Sequence, residues 1–119
     1  MGELSEFDIG YIMGLIVGEG TFSYKRVYST KQVHYYPFIA VAMHMRDPEP
    51  TQYLHSIFGG SLNGPYANGM ITWWLSGHRC EALLPLLMKY LPASEKRRQF
   101  EVWHERFRPF FEKSSYRSI

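Results

Sequence analysis

A single cysteine, Cys80, stands among 119 residues, which excludes an internal disulfide and a cysteine-based zinc site. Long hydrophobic runs are missing too. The most apolar stretch, Ile9–Val17, falls well short of the roughly 18–20 residues that span a bilayer. Glu3, Glu6 and Asp8 precede it, where a secretory signal would carry basic residues. The expected setting is therefore cytoplasmic or an organellar matrix, with no membrane partner and no secretion. Charge of one sign is scarce: 13 Lys and Arg against 11 Asp and Glu leave a net +2. That balance permits nucleic-acid binding without arguing for it. His34, His44, His55, His78 and His104 lack metal-ligand spacing, and no glycine-rich phosphate loop ends in Lys-Ser/Thr. Gly18-Glu19-Gly20 is too short for a dinucleotide fingerprint, and no nucleophile has an evident base partner.

What is present is a 45% hydrophobic chain with 17% aromatic residues, enough for one core and one domain. The domain is expected to cover 1–119, with a core over about residues 5–111 and a flexible tail over 112–119. Ser5-x-x-Asp8 has the form of a capping box opening a helix that ends at Gly18–Gly20, with Gly20 suited to a left-handed terminal residue. Thr21–Ser29 and Tyr35–Met45 read as strands rich in aromatic and β-branched residues around a turn at Ser29–Val33. Asp47-Pro48-Glu49-Pro50 opens a short helix over about Thr51–Phe58, closed by Gly59-Gly60. Ser61–Asn63 and Gly69–Leu75 form a second strand pair. Helices follow over Gly77–Leu91, bent at Pro85, and Ser94–Phe111, capped by Ser94. The order α-β-β-α-β-β-α-α predicts an α+β fold with a four-stranded antiparallel sheet and helices on one face. Trp73, Trp74 and Trp103 read as core or dimer packing.

Gly10, Gly14 and Gly18 recur every four residues and so share one face of the first helix. Interior glycine costs about 0.8–1 kcal/mol relative to alanine, so a close approach must offset it. Periodicity leaves open whether the partner is the chain's own sheet or a second chain. Glu19 sits at the negative end of the helix dipole, and a second copy would bring a second carboxylate near it. Cations between them would remove that conflict, while an ordinary exposed glutamate is the alternative.

Ile12-Met13-Gly14-Leu15-Ile16-Val17-Gly18-Glu19-Gly20 resembles the nine-residue LAGLIDADG motif of homing endonucleases and intron maturases. Thr21-Phe22-Ser23 resembles the strand that follows it. Phe58-Gly59-Gly60-Ser61, Trp74-Leu75-Ser76-Gly77 and Tyr90-Leu91 with Lys96-Arg97-Arg98-Gln99 agree in order and spacing. Together they span roughly residues 5–110.

The resemblance implies an αββαββα-type domain whose sheet forms a saddle over double-stranded DNA, working as a homodimer on a near-palindromic site, with a part in intron or intein mobility. The implied dimer interface is Gly10, Gly14, Leu15 and Gly18. Glu19 is implied as ligand of Mg²⁺ (or Mn²⁺), with the Gly18 carbonyl beside it, and Lys96 as a basic group near the scissile phosphate. Glu19 and Lys96 are thus the expected catalytic residues, and Gln99 fits the same signature. By parity Thr21, Ser23, Lys25, Tyr36 and Thr72 face the DNA groove, with Asn63 and Asn68 near the second turn. Arg26 and Lys31 are expected at phosphates. Phe38, Ala40 and Ala42 make the same face less polar than a dedicated base reader. Two departures stand out: Val17 occupies a position often acidic in the family, and Met45 replaces a glutamine that organises water in many relatives. Met45 favours the alternative of a non-catalytic DNA-binding regulator on this fold. An RNA-splicing maturase, with RNA as partner, is a further alternative.

Overall fold

A computed structural model describes residues 3–117 of the chain, with side chains described through Lys113. The capping box at Ser5 forms as expected. The Ser5 hydroxyl accepts from the Asp8 amide, and the Asp8 carboxylate accepts from the Ser5 amide, each at 3.1 Å. They open helix α1 (Glu6–Glu19), which buries Ile12, Met13 and Ile16. The chain then passes without a loop into strand β1 (Gly20–Tyr28). Gly20 is extended (φ −75°, ψ 151°), not left-handed as its place at the helix end suggested. Its small size is needed for a different reason: a Cβ there would lie 2.6 Å from the carbonyl oxygen of Ile16.

Strand β2 (Val33–His44) pairs antiparallel with β1, and Ser29 closes the tip by donating its amide to the Gln32 carbonyl at 2.9 Å. Helix α2 (Glu49–Phe58) begins two residues earlier than expected, with Pro50 in its first turn, where no intrahelical N–H is required. Strands β3 (Ser61–Asn63) and β4 (Met70–Ser76) complete one sheet in the order β1-β2-β4-β3. Gly60 links α2 to the sheet at φ 90°, and a side chain there would strike the Trp74 carbonyl.

Past the sheet, the two expected long helices are each divided. Gly77–Ala82 is a 3₁₀ segment, and α3 (Leu84–Tyr90) starts only at Leu84, with Pro85 in its first turn. Helix α4 (Glu95–Arg106), capped by the Ser94 hydroxyl on the Arg97 amide at 3.1 Å, stops at Phe107. Helix α5 (Arg108–Arg117) restarts with Pro109 near its beginning. Proline inside a helix lacks the amide and clashes one turn back, so it takes the start of a new helix instead. The backbone expected as a tail from residue 112 is helical through Arg117, and residues 118 and 119 lie outside the described residues.

The core lies between the helices and one face of the sheet. Ile12 and Ile16 of α1 join Ile39, Val41, Trp73 and Leu75, which share strand parity, all 0% exposed. Phe22 packs on Phe100 and Trp103 of α4 at 5.3 Å between ring centres. The four-stranded antiparallel sheet with helices on one face is the architecture expected from the sequence. No helix among the described residues is long and apolar enough to cross a membrane.

Candidate nucleic-acid interface and catalytic centre

The end of α1 is the first feature of the site. Glu19 is exposed on the last helical residue, and none of the ion pairs among the described residues engages it. Carbonyls in the last turn of a helix have no intrahelical partner, which applies to Gly18 beside it. One residue further, the Gly20 carbonyl accepts from Lys96 Nζ at 2.5 Å. Lys96 comes from the first turn of α4, 76 residues along the chain, so packing of α4 on β1 brings an ammonium to the Gly20–Thr21 peptide, one residue past Glu19. Gln99, of the same signature, is exposed on α4.

The glycine stripe is the second. A Cβ placed on Gly10, Gly14 or Gly18 would meet nothing within 4 Å, so these residues do not pack on the chain's own sheet. Of the two partners that periodicity left open, the chain's own sheet is thereby removed: the stripe faces outward. It floors a groove of about 740 Å³ flanked by Ile9, Met13, Val17 and Tyr90. Leu15, expected in the same seam, is half-buried and packs on the core instead.

The sheet face turned away from the helices is the third. The strand register aligns Thr21, Ser23 and Lys25 of β1 with Ala40, Phe38 and Tyr36 of β2. It continues through Trp74 and Thr72 of β4 to Ser61 and Asn63 of β3. Thr21, Ser23, Lys25, Tyr36 and Thr72 thus share one face, as their parity implied, and Asn63 joins them across from Thr72. Arg26 lies on the opposite face of β1 from Lys25, exposed near the hairpin tip, and Lys31 is exposed in the tip itself. Asn68 is exposed in the β3–β4 turn, where its side-chain oxygen accepts from the Met70 amide at 3.0 Å.

A family model described as LAGLIDADG endonuclease matches residues 12–107. The chain belongs to the LAGLIDADG endonuclease family. The DNA-bound LAGLIDADG homing endonuclease I-LtrWI superposes with a TM-score of 0.75 at 18% identity, covering 90% of this chain and 38% of that one. The homing endonuclease I-TnaI gives 0.74 at 16% identity, covering 87% and 71%. I-SmaMI, bound to uncleaved DNA in the presence of calcium ions, gives 0.72 at 19%, covering 87% and 36%. The chain therefore spans little more than a third of I-LtrWI and I-SmaMI. At these identities the likeness establishes the fold. No curated protein sequence matches the chain.

Within this LAGLIDADG domain residues adjacent in sequence take separate partners. Lys96, Arg97 and Arg98 do not form a basic patch. Arg97 caps α3, donating to the Leu91 carbonyl at 2.5 Å and the Met88 carbonyl at 3.2 Å, and pairs with Glu101 at 3.0 Å. Arg98 pairs with Glu95 at 2.8 Å. Trp73 and Trp103 are core residues as expected, donating their indole N–H to Gly59 and Ser23 carbonyls at 2.8 and 2.7 Å. Trp74 is not a core residue. It lies on the open sheet face against Phe38, 4.6 Å between ring centres, and its buried indole N–H has no partner. Strand alternation alone, which puts Trp74 on the same face as Thr72, would have revealed this. Met45 is 52% exposed just past β2, while His44, the last strand residue, shares the groove face. The His44 Nδ1 accepts from the Arg46 amide at 3.1 Å and its Nε at 3.2 Å.

Proposed function

We propose that the chain acts as a homodimeric, divalent-metal-dependent endonuclease that cuts double-stranded DNA at a near-palindromic site. The observation that carries this is the exposed, unpaired Glu19 carboxylate at the end of an outward glycine stripe, with Lys96 held one peptide away. A second copy seated stripe to stripe brings two Glu19 side chains together, and a two-fold dimer reads a two-fold site. Among the described residues no three His, Cys, Asp or Glu side chains converge within one chain; in the proposed complex a second chain and DNA phosphates add ligands to Glu19 and the Gly18 carbonyl. The Glu19 carboxylate and Gly18 carbonyl are hard oxygen donors, suited to Mg²⁺ or Mn²⁺. Such an ion supplies an activated water and stabilisation of the leaving 3′ oxygen. Within the protein, Glu19 holds the ion, and Lys96 contributes positive charge beside the phosphate undergoing attack. Lys25 on the groove face and Lys31 at the tip offset backbone charge along the β1–β2 hairpin, whereas Arg26 lies on the other face of β1, and Thr21, Ser23, Tyr36, Asn63, Asn68 and Thr72 border the bases.

The test starts from DNA duplexes selected from a random library in Ca²⁺, then exposed to Mg²⁺ or chelator. Metal-dependent double-strand cleavage that disappears in Glu19→Gln, with DNA binding retained, is the expected result. Tight binding without cleavage in any divalent ion would overturn the nuclease reading. It would support the second one, a non-catalytic DNA-binding regulator, which the exposed Met45 thioether favours because it cannot order water as an amide does.

A further inference from the structure

The groove face is polar at its borders and apolar in the middle. Lys25 and Tyr36 lie toward the hairpin tip, and Ser61 and Asn63 on the outer strand. Between them the register places Phe38, Ala40 and Ala42 beside Ser76, Trp74 and Thr72. Ala40 is only 6% exposed, so the accessible middle consists of the Phe38 and Trp74 rings, the Ala42 methyl and Thr72. Trp74 has one hydrogen-bonding atom, and that indole nitrogen is buried and unavailable to a ligand. Phe38 and Ala42 have none on their side chains. In the major groove, base pairs are distinguished by acceptors, donors and the methyl group at C5 of thymine. The Phe38, Trp74 and Ala42 side chains offer neither donor nor acceptor to a ligand, so what they discriminate is the methyl, while the Thr72 hydroxyl keeps hydrogen-bonding capacity at their edge.

Resting on the reading of this face as the DNA-binding surface, we propose that the Phe38–Trp74–Ala42 patch recognises the 5-methyl group of a pyrimidine in the middle of each half-site. Thymine is the source in unmodified DNA, and 5-methylcytosine presents the same group. Lys25 on the same face and Lys31 at the tip supply the charge complementarity that seats the duplex there. The patch then acts as a specificity determinant separate from Glu19 and Lys96.

The experiment takes the selected duplexes in Ca²⁺ and replaces each thymine in turn by deoxyuridine, which removes only the methyl. Binding is expected to weaken roughly fourfold at each contacted position, the worth of about one buried methyl group at ~0.8 kcal/mol. Cytosine placed there is expected to bind more tightly when 5-methylated. Ala42→Gln, which adds an amide able to pair with adenine, is expected to abolish the uracil penalty and shift the selected base. Phe38→Gln provides an independent variant, its folding checked by circular dichroism. Selected DNA that tolerates uracil within about 1.5-fold at every thymine overturns this proposal and leaves the DNA-binding reading standing. Failure to enrich any duplex overturns both.

Discussion

Lys96, Arg97 and Arg98 follow one another in the chain yet meet three different partners. Successive helical residues point about 100° apart, so neighbours in sequence are not neighbours on a surface. Only Lys96 turns toward Gly20, Arg97 closes the end of α3, and Arg98 meets Glu95. The signature around Lys96 made its position legible from sequence. The capping role of Arg97 was not, because it depends on where Leu91 and Met88 present their carbonyls. Cys80 illustrates a side chain whose chemistry is suppressed by its surroundings. It is 0% exposed, its Sγ lies 3.3 Å from the Leu75 carbonyl, and burial pushes its thiol up to about 12. Since the thiolate is the reactive form, a thiol reagent at pH 8 is expected to leave the folded protein unlabelled and to react stoichiometrically after denaturation. Fast labelling of native protein would show that the region around the 3₁₀ segment opens readily.

At the scale of elements, α1 sets local stability against association in the proposed dimer. A methyl on Gly14 meets nothing within 4 Å in the isolated chain, and alanine is the better helix former by about 0.8–1 kcal/mol. Gly14→Ala is therefore expected to raise the stability of the monomer by about that amount in urea unfolding at low protein concentration. In sedimentation at high concentration the same variant is expected to dimerise more weakly, since the added methyls keep the helices apart. A variant that is stabilised and dimerises as well as the parent would remove the stripe from the interface. The strands were legible to within a residue or two because alternation of Phe22 and Tyr24 with Thr21, Ser23 and Lys25 has only two phases. The helices after the sheet were not. Their apolar periodicity runs on through Pro85 and Pro109, and only the geometry shows each proline beginning a new helix.

At the scale of the whole molecule, α1 and α2 are joined by a contact across 45 residues, in which the Tyr53 hydroxyl donates to Asp8 Oδ1 at 2.7 Å. That bond first, then those from the Ser5 hydroxyl and amide, lowers the Asp8 pKa below its ordinary 3.8. A carboxyl lowered on folding contributes stability that is present above its unfolded value and lost as pH falls through its folded one. The acid side of the stability profile, from about 3.8 downward, is thus expected to flatten in Asp8→Asn, as followed by denaturation across pH. An unchanged acid slope would place the acid sensitivity elsewhere. The Ser5–Asp8 box was legible because it is local, whereas the Tyr53 bond depends on how two helices dock.

The outward glycine stripe also bears on dosage. In the proposed assembly neither chain holds a complete catalytic centre, because each supplies one Glu19. Below the dissociation constant the number of complete centres grows with the square of chain abundance. Halving the amount of protein then removes about three quarters of the cutting capacity, a steep response produced without any separate regulatory domain.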